Sequence, residues 1–140
     1  MAQPTPSDWS ALAAPSAAAL HEIAERTLHA LPDPVRARCE GLGIVVEDWP
    51  DEEVLAALGI EDPLELTGLY EGTPLTDRSV TDQPTTPDLV RLYRLPILFE
   101  WAERGEVTLG EIVAHVLIHE IAHHFGFSDA AIAAIDRWWE

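Results

Sequence analysis

The longest periodic stretch of apolar positions in the chain runs from Thr108 to His124. Ile112, Val113, Val116, Leu117 and Ile121 recur at helical spacing, a broad stripe that predicts one buried helix face. Thr108 and Glu111 form a T-x-x-E capping box at its start. Gly126, three residues after His123, stands where a left-handed cap ends a helix at little steric cost. A second amphipathic helix is predicted over 16–30, with Leu20, Ile23, Ala24, Thr27, Leu28 and Leu31 on one side, Ser16 as N-cap and Pro32 as its stop. Shorter helices are expected over 51–58, ending at Gly59, and over 97–104, ending at Gly105. Strand patterns fall at 43–47, 66–70 and 88–94, the last stopped by Pro96. Between the second and third strands, 73–88 carries three prolines and many Thr and Asp residues and reads as a long loop. That order predicts an α+β fold, a small sheet beside the 108–124 helix. Residues 1–15 are expected to be a flexible tail, and 16–140 one domain.

Composition narrows the class of partner. At 47% hydrophobic the chain can bury a core, so its formal charge of −17 does not imply disorder. The basic side is eight arginines with no lysine, against 25 acidic residues. This balance argues against nucleic acid, whose phosphates need neutralising, and against anionic membrane surfaces. It favours a basic peptide as partner. Cys39 is the single cysteine, so no intramolecular disulfide forms and a buried, inert thiol is expected. No apolar run approaches the roughly 20 residues that span a bilayer. The N-terminus lacks the basic start and apolar core of a secretory signal, so a cytoplasmic location is expected.

The chemistry lies at the end of the long helix, where His119-Glu120-Ile121-Ala122-His123 reads H-E-x-x-H and continues as H-x-x-G-x-x-D to Asp129. Residues four apart share a helix face, about 5–6 Å apart at Cβ, so both imidazoles can close on one Zn²⁺ at about 2.0–2.1 Å. Glu120 lies about 100° around the helix. It is placed to take the proton of an attacking water rather than to join the ligand pair. A chain reversing at Gly126 can return Asp129 as a third ligand, leaving the open fourth position of a catalytic site. Asp129 also begins a helical pattern over 129–139, where an aspartate suits a helix N-terminus by charge alone. His124 points away from the pair and is read as structural. His115 shares the face of His119 and either lines the cleft or is a satisfied core histidine, the second being the simpler reading.

Three blocks occur in order: G-L-Y-E-G-T-P-L-T-D-R-S (68–79), D-L-V-R-L-Y-R-L-P-I-L (88–98) and H-V-L-I-H-E-I-A-H-H-F-G-F-S-D (115–129). Together they resemble the small bacterial minimal zincin-like metallopeptidases over roughly 16–138. The resemblance implies a compact α+β zincin-like fold, His119, His123 and Asp129 as metal ligands, and Glu120 as base. The centre is similar to that of metzincins, with two departures. Asp129 stands where those usually have a third histidine. The only methionine is Met1, so no methionine turn lies beneath the metal.

The expected activity is hydrolysis of peptide bonds by metal-activated water. Two other readings stay open: an interaction or regulatory module with a vestigial or structural metal site, and a hydrolase of non-peptide amides. An extended substrate would add to a sheet edge, but which strand is the edge is not legible. Tyr70 and Tyr93, the only tyrosines, are candidates to donate to a developing oxyanion or are simply half-buried strand residues. Arg78 falls in a Thr-Asp-Arg-Ser run that either lines the cleft or is a solvated loop. Trp138 and Trp139 are expected to close the core.

Overall fold

The computed structural model describes residues 6–75 and 88–128. Arg78, Asp129, Trp138 and Trp139, all singled out in the sequence, lie outside them, as do 76–87 of the loop and the helical pattern over 129–139. Within the stretch read as a tail, Pro6–Ala11 winds a 3-10 helix. Helix α1 (Ala17–His29) follows, capped by Ser16, whose Oγ accepts from the Ala19 amide at 3.1 Å. Its apolar side buries Leu20 and Ala24 completely, and Ile23, Leu28 and Leu31 pack around them. A short helix α2 (Asp33–Ala37) was not expected; Pro34 in its first turn suits a helix start rather than ending one.

Strand β1 (Gly43–Glu47) and helix α3 (Glu52–Leu58), closed by left-handed Gly59, lie where the pattern put them. Strand β2 (Gly68–Glu71) starts two residues later than predicted, because Pro63–Glu65 forms a 3-10 turn ahead of it. Strand β3 (Leu89–Tyr93) runs directly into α4 (Arg94–Arg104). The prediction ended the strand at Pro96 and began the helix after it. In the structure Pro96 sits within the first turn of α4, where its missing N–H has no intrahelical partner to lose. Helix α5 (Leu109–His124) completes the described chain, with Thr108 as N-cap.

The sheet order is β1-β3-β2, with β1 parallel and β2 antiparallel to β3. Pairing sets Ile44 against Val90, Val46 against Leu92 and Gly68 against Leu92, so one face carries the apolar set. Helices α1 and α5 cover that face, α1 against β1 and α5 against β2 and β3. The α5 stripe is buried as predicted: Ile112, Val113 and Leu117 fully, with Val116 and Ile121 nearly so. On the opposite face Arg91 of the central strand reaches both neighbours. It donates to Glu71 at 2.8 Å and to Glu47, tying all three strands together. Cys39 is a buried free thiol, and burial pushes its pKa up, the inert role expected of it. No helix among the described residues is long and apolar enough to cross a membrane.

Strand β2 lies hard against α5 because Gly68 has no side chain. A Cβ there would stand 2.7 Å from Val116 Cγ1 and 3.3 Å from the Arg91 carbonyl and Glu120 Cγ. Gly110, near the start of α5, faces open space, with Thr108 Oγ1 at 3.9 Å the nearest neighbour to an added Cβ. Opposite effects are therefore expected from the same change. Gly68→Ala should cost about 1–3 kcal/mol by overpacking. Gly110→Ala should stabilise by about 0.4–1 kcal/mol through the unfolded chain. Denaturant midpoints of the two variants beside wild type check both signs.

Candidate active site

Helix α5 carries His115, His119, Glu120, His123 and His124, and both its ends are fixed by hydrogen bonds. At the start, the Thr108 side chain accepts from the Glu111 amide at 3.1 Å. At the end, the Phe127 amide donates to the Ala122 carbonyl at 3.0 Å and the Gly126 amide to the His123 carbonyl at 2.9 Å. This is a Schellman closure, and it needs the left-handed φ of 97° that Gly126 supplies. The sequence expectation of a glycine cap at 126 is met.

That turn also orients a histidine. It folds the Phe127 carbonyl back to His123 Nδ1, at 3.0 Å. A carbonyl only accepts, so Nδ1 carries the proton and Nε2 of the neutral ring keeps its lone pair. The His119 ring lies edge-on to that of His123, with centroids 5.1 Å apart and planes at 73°. Both rings are half-buried and line a cleft of about 800 Å³ between α5 and β2. Glu120 lines the same cleft and is only 7% exposed, buried rather than solvated. Its Cγ sits under the bare Cα of Gly68, so the strand that forms one wall also covers the glutamate.

Of the two readings of His115, the structure supports the cleft: it is half-buried and lines it, its ring 6.5 Å from that of His119. One turn of helix separates the two, which brings its ring to the same opening. His124, read as structural, is so. It is 2% exposed, with Nε2 3.0 Å from the Arg38 carbonyl and Nδ1 3.0 Å from the Tyr70 hydroxyl. Nε2 therefore donates to the Arg38 carbonyl. The Tyr70 hydroxyl donates to Asp88 Oδ1 at 3.3 Å, so one part-buried tie joins α5, β2, the entry to β3 and the end of α2. Asp129, the predicted third ligand, falls outside the described residues. Among those described, no three His, Cys, Asp or Glu side chains gather as a metal cluster.

The two tyrosines are now distinguished. Tyr93 is 1% exposed, is absent from the cleft lining, and has its pKa pushed up to about 12, first by burial and then by Glu47. It has no access to a substrate there. Tyr70 does line the cleft, with its hydroxyl held by His124.

A family model described as zincin-like metallopeptidase matches residues 39–139. The chain belongs to the zincin-like metallopeptidase family. The match takes in everything from β1 to α5, including H-E-x-x-H and Asp129, and leaves α1 outside it, whereas the resemblance read from the sequence began at residue 16. No curated protein matches the chain. Helices over one face of a three-stranded sheet, with the histidine-bearing helix beside an edge strand of the described sheet, are consistent with a compact α+β zincin-like fold.

Two functional details had only faint sequence signals. A glycine inside a strand pattern marks close backbone approach, which is the role of Gly68. Nothing in the pattern pairs Tyr70 with His124, 54 residues away. Removing that hydroxyl leaves His124 Nδ1 without its hydrogen-bond partner in a buried setting. Tyr70→Phe should therefore cost about 1–3 kcal/mol, read as a lowered midpoint in chemical denaturation; an unchanged midpoint would show that the tie contributes nothing.

Proposed function

We propose that this chain is a zinc-dependent peptidase. The observation that carries the reading is the pairing on one cleft of the oriented His119–His123 couple with the buried Glu120, opposite an edge strand. The donor set suits the metal: two neutral imidazoles one helical turn apart, one with its proton already committed to a backbone carbonyl. Asp129 follows directly on Ser128, which lines the cleft, and is the third ligand of the proposal. Bound there, Zn²⁺ supplies Lewis-acid polarisation of a carbonyl and acidifies water.

The protein's own groups do the rest. Strand β2 is an edge of the described sheet and pairs on one side with β3, so an extended peptide lies along it as a further strand and presents its backbone to α5. The Glu120 carboxylate takes a proton from the attacking water and delivers it to the leaving amine nitrogen. His123 is held in register by Phe127, and α5 as a whole by the His124–Tyr70 tie.

Purified without chelator, the wild type should carry about one zinc per chain, lost in His119→Ala and His123→Ala. Elemental analysis checks this, and stoichiometric zinc in both variants would remove the premise. Asp129→Ala should lose metal while Asp129→His keeps or tightens it, because a softer imidazole replaces a hard carboxylate. Full occupancy in Asp129→Ala would return that residue to a helix-start role and make Asp136 the next candidate. Glu120→Gln should keep zinc and fold but cut peptide hydrolysis by about 10²-fold or more. No hydrolysis by zinc-loaded wild type across a mixed peptide library would favour an interaction module instead.

A further inference from the structure

The two ends of the cleft differ. Gly68 sits against Val116 and Glu120, and the Tyr70 hydroxyl reaches His124, so β2 runs in the same direction as α5. Residues ahead of Gly68 therefore lie toward His115, and those after Tyr70 toward Gly126. The segment ahead of Gly68 brings three apolar side chains, Leu58, Ile60 and Leu66, into the lining. All three are open to a ligand: Leu58 is 50% exposed, and Ile60 and Leu66 are half-buried. A fixed turn holds the first two. Gly59 closes α3 at a left-handed φ of 69°, and the Ile60 amide donates to the Leu55 carbonyl at 2.9 Å.

A lone exposed leucine is ordinary, but several apolar side chains lining one cleft are what a binding pocket uses. The carboxylates of the lining besides Glu120 have other company. Glu65 is exposed to water, and Glu100 pairs with Arg104 one helical turn on, at 3.7 Å. Among the described residues, Phe127 is the other large apolar side chain both exposed and in the lining, and it follows Gly126 at the opposite end. The direction of the bound peptide decides which part of it meets which end. Antiparallel pairing is the more stable, so a peptide added to β2 runs against it, its C-terminal part passing Gly68 toward Leu66. A strand rises about 3.3 Å per residue, and one helical turn of about 5.4 Å separates His119 from His115. The first or second residue after a bond held at the histidine pair is then level with this apolar wall.

We propose that Leu58, Ile60 and Leu66 form an apolar subsite that takes a large aliphatic or aromatic side chain from the first or second residue on the C-terminal side of the scissile bond. The subsite rests on the peptidase reading and deepens it by naming the side chain selected and the residues that select it. It differs in kind from the attraction of a −17 chain for basic partners. That attraction is diffuse and screened by salt, whereas burial of apolar surface is not weakened by it.

Two measurements on the full-length, zinc-loaded protein decide it. The probes are labelled peptides, acetylated and amidated, with one guest residue (Leu, Phe, Ala or Gln) in a Gly/Ser-rich host. Binding is read by fluorescence anisotropy in the Glu120→Gln background, so that turnover does not enter, at about 0.15 M and 0.5 M salt. The Leu and Phe peptides should bind about tenfold or more tightly than the Ala and Gln peptides at both concentrations. Leu58→Ser, at a half-exposed helix end, should remove most of that preference, and Ile60→Thr, which keeps the branched shape, should reduce it. Trp49→Ser alters a side chain that is similarly exposed but absent from the lining, and should leave the preference unchanged. No preference, or one that both cleft variants leave intact, would overturn the proposal. Mass spectrometry of products from the wild-type protein supplies the second readout. Cleavage at the bond before Leu or Phe, or one bond earlier, is the expected result. Cleavage confined to the carboxyl side of the guest would overturn the proposal and assign the apolar residue to the Phe127 end. Cleavage indifferent to the guest would leave the peptidase reading and remove the subsite. If the peptides bind with this preference but none is cleaved, the peptidase reading fails while the apolar pocket stands.

Discussion

The close contact between β2 and α5 at Gly68 is the constraint on which the site depends. A helix that buries Ile112, Val113, Val116, Leu117 and Ile121 against a sheet has one face spoken for. The chemistry must then sit on its flank, at the border between core and solvent. With β2 drawn in to within van der Waals distance of Val116 and Glu120, that border becomes a cleft with a strand for its second wall. A bulkier residue at 68 would widen the gap over Glu120. The glutamate is buried because the strand covers it, while the histidines on the flank stay half-open.

The same economy appears at the helix end. The Schellman turn at Gly126 terminates α5, and in doing so returns the Phe127 carbonyl to His123. One left-handed residue thus stops the helix and sets a tautomer. One residue on, His124 faces inward and locks the same turn to β2 through Tyr70 and to the end of α2 through the Arg38 carbonyl. Adjacent histidines at 123 and 124 have opposite roles because 100° of helix rotation separates open cleft from core.

Much of this was legible beforehand. Local signals were strong for α1 and α5, where caps, stripe and stop agreed, and for β1 and β3, where β-branched and alternating residues are bounded by turn residues. The histidine pair and Glu120 were legible because helix geometry alone determines their spacing. What escaped was nonlocal or depended on an end effect. Pro96 looked like a break, yet prolines fit the first turn of a helix, and α4 starts two residues before it. His115 shares the face of His119 by its spacing, but spacing does not say whether that face is covered at that height, which left cleft and core both open. The Tyr70–His124 tie joins elements far apart in sequence, and no periodicity encodes such a meeting.

The central claim is that His119, His123 and Asp129 together hold zinc on the flank of a buried helix. X-ray absorption at the zinc edge on the purified wild-type protein tests it directly, because it reads ligand type rather than activity. The account predicts a first shell of nitrogen and oxygen alone at about 2.0–2.1 Å, with the outer-shell scattering of two imidazoles. A sulfur contribution at about 2.3 Å, which would bring in Cys39, or scattering from fewer than two imidazoles, would contradict it.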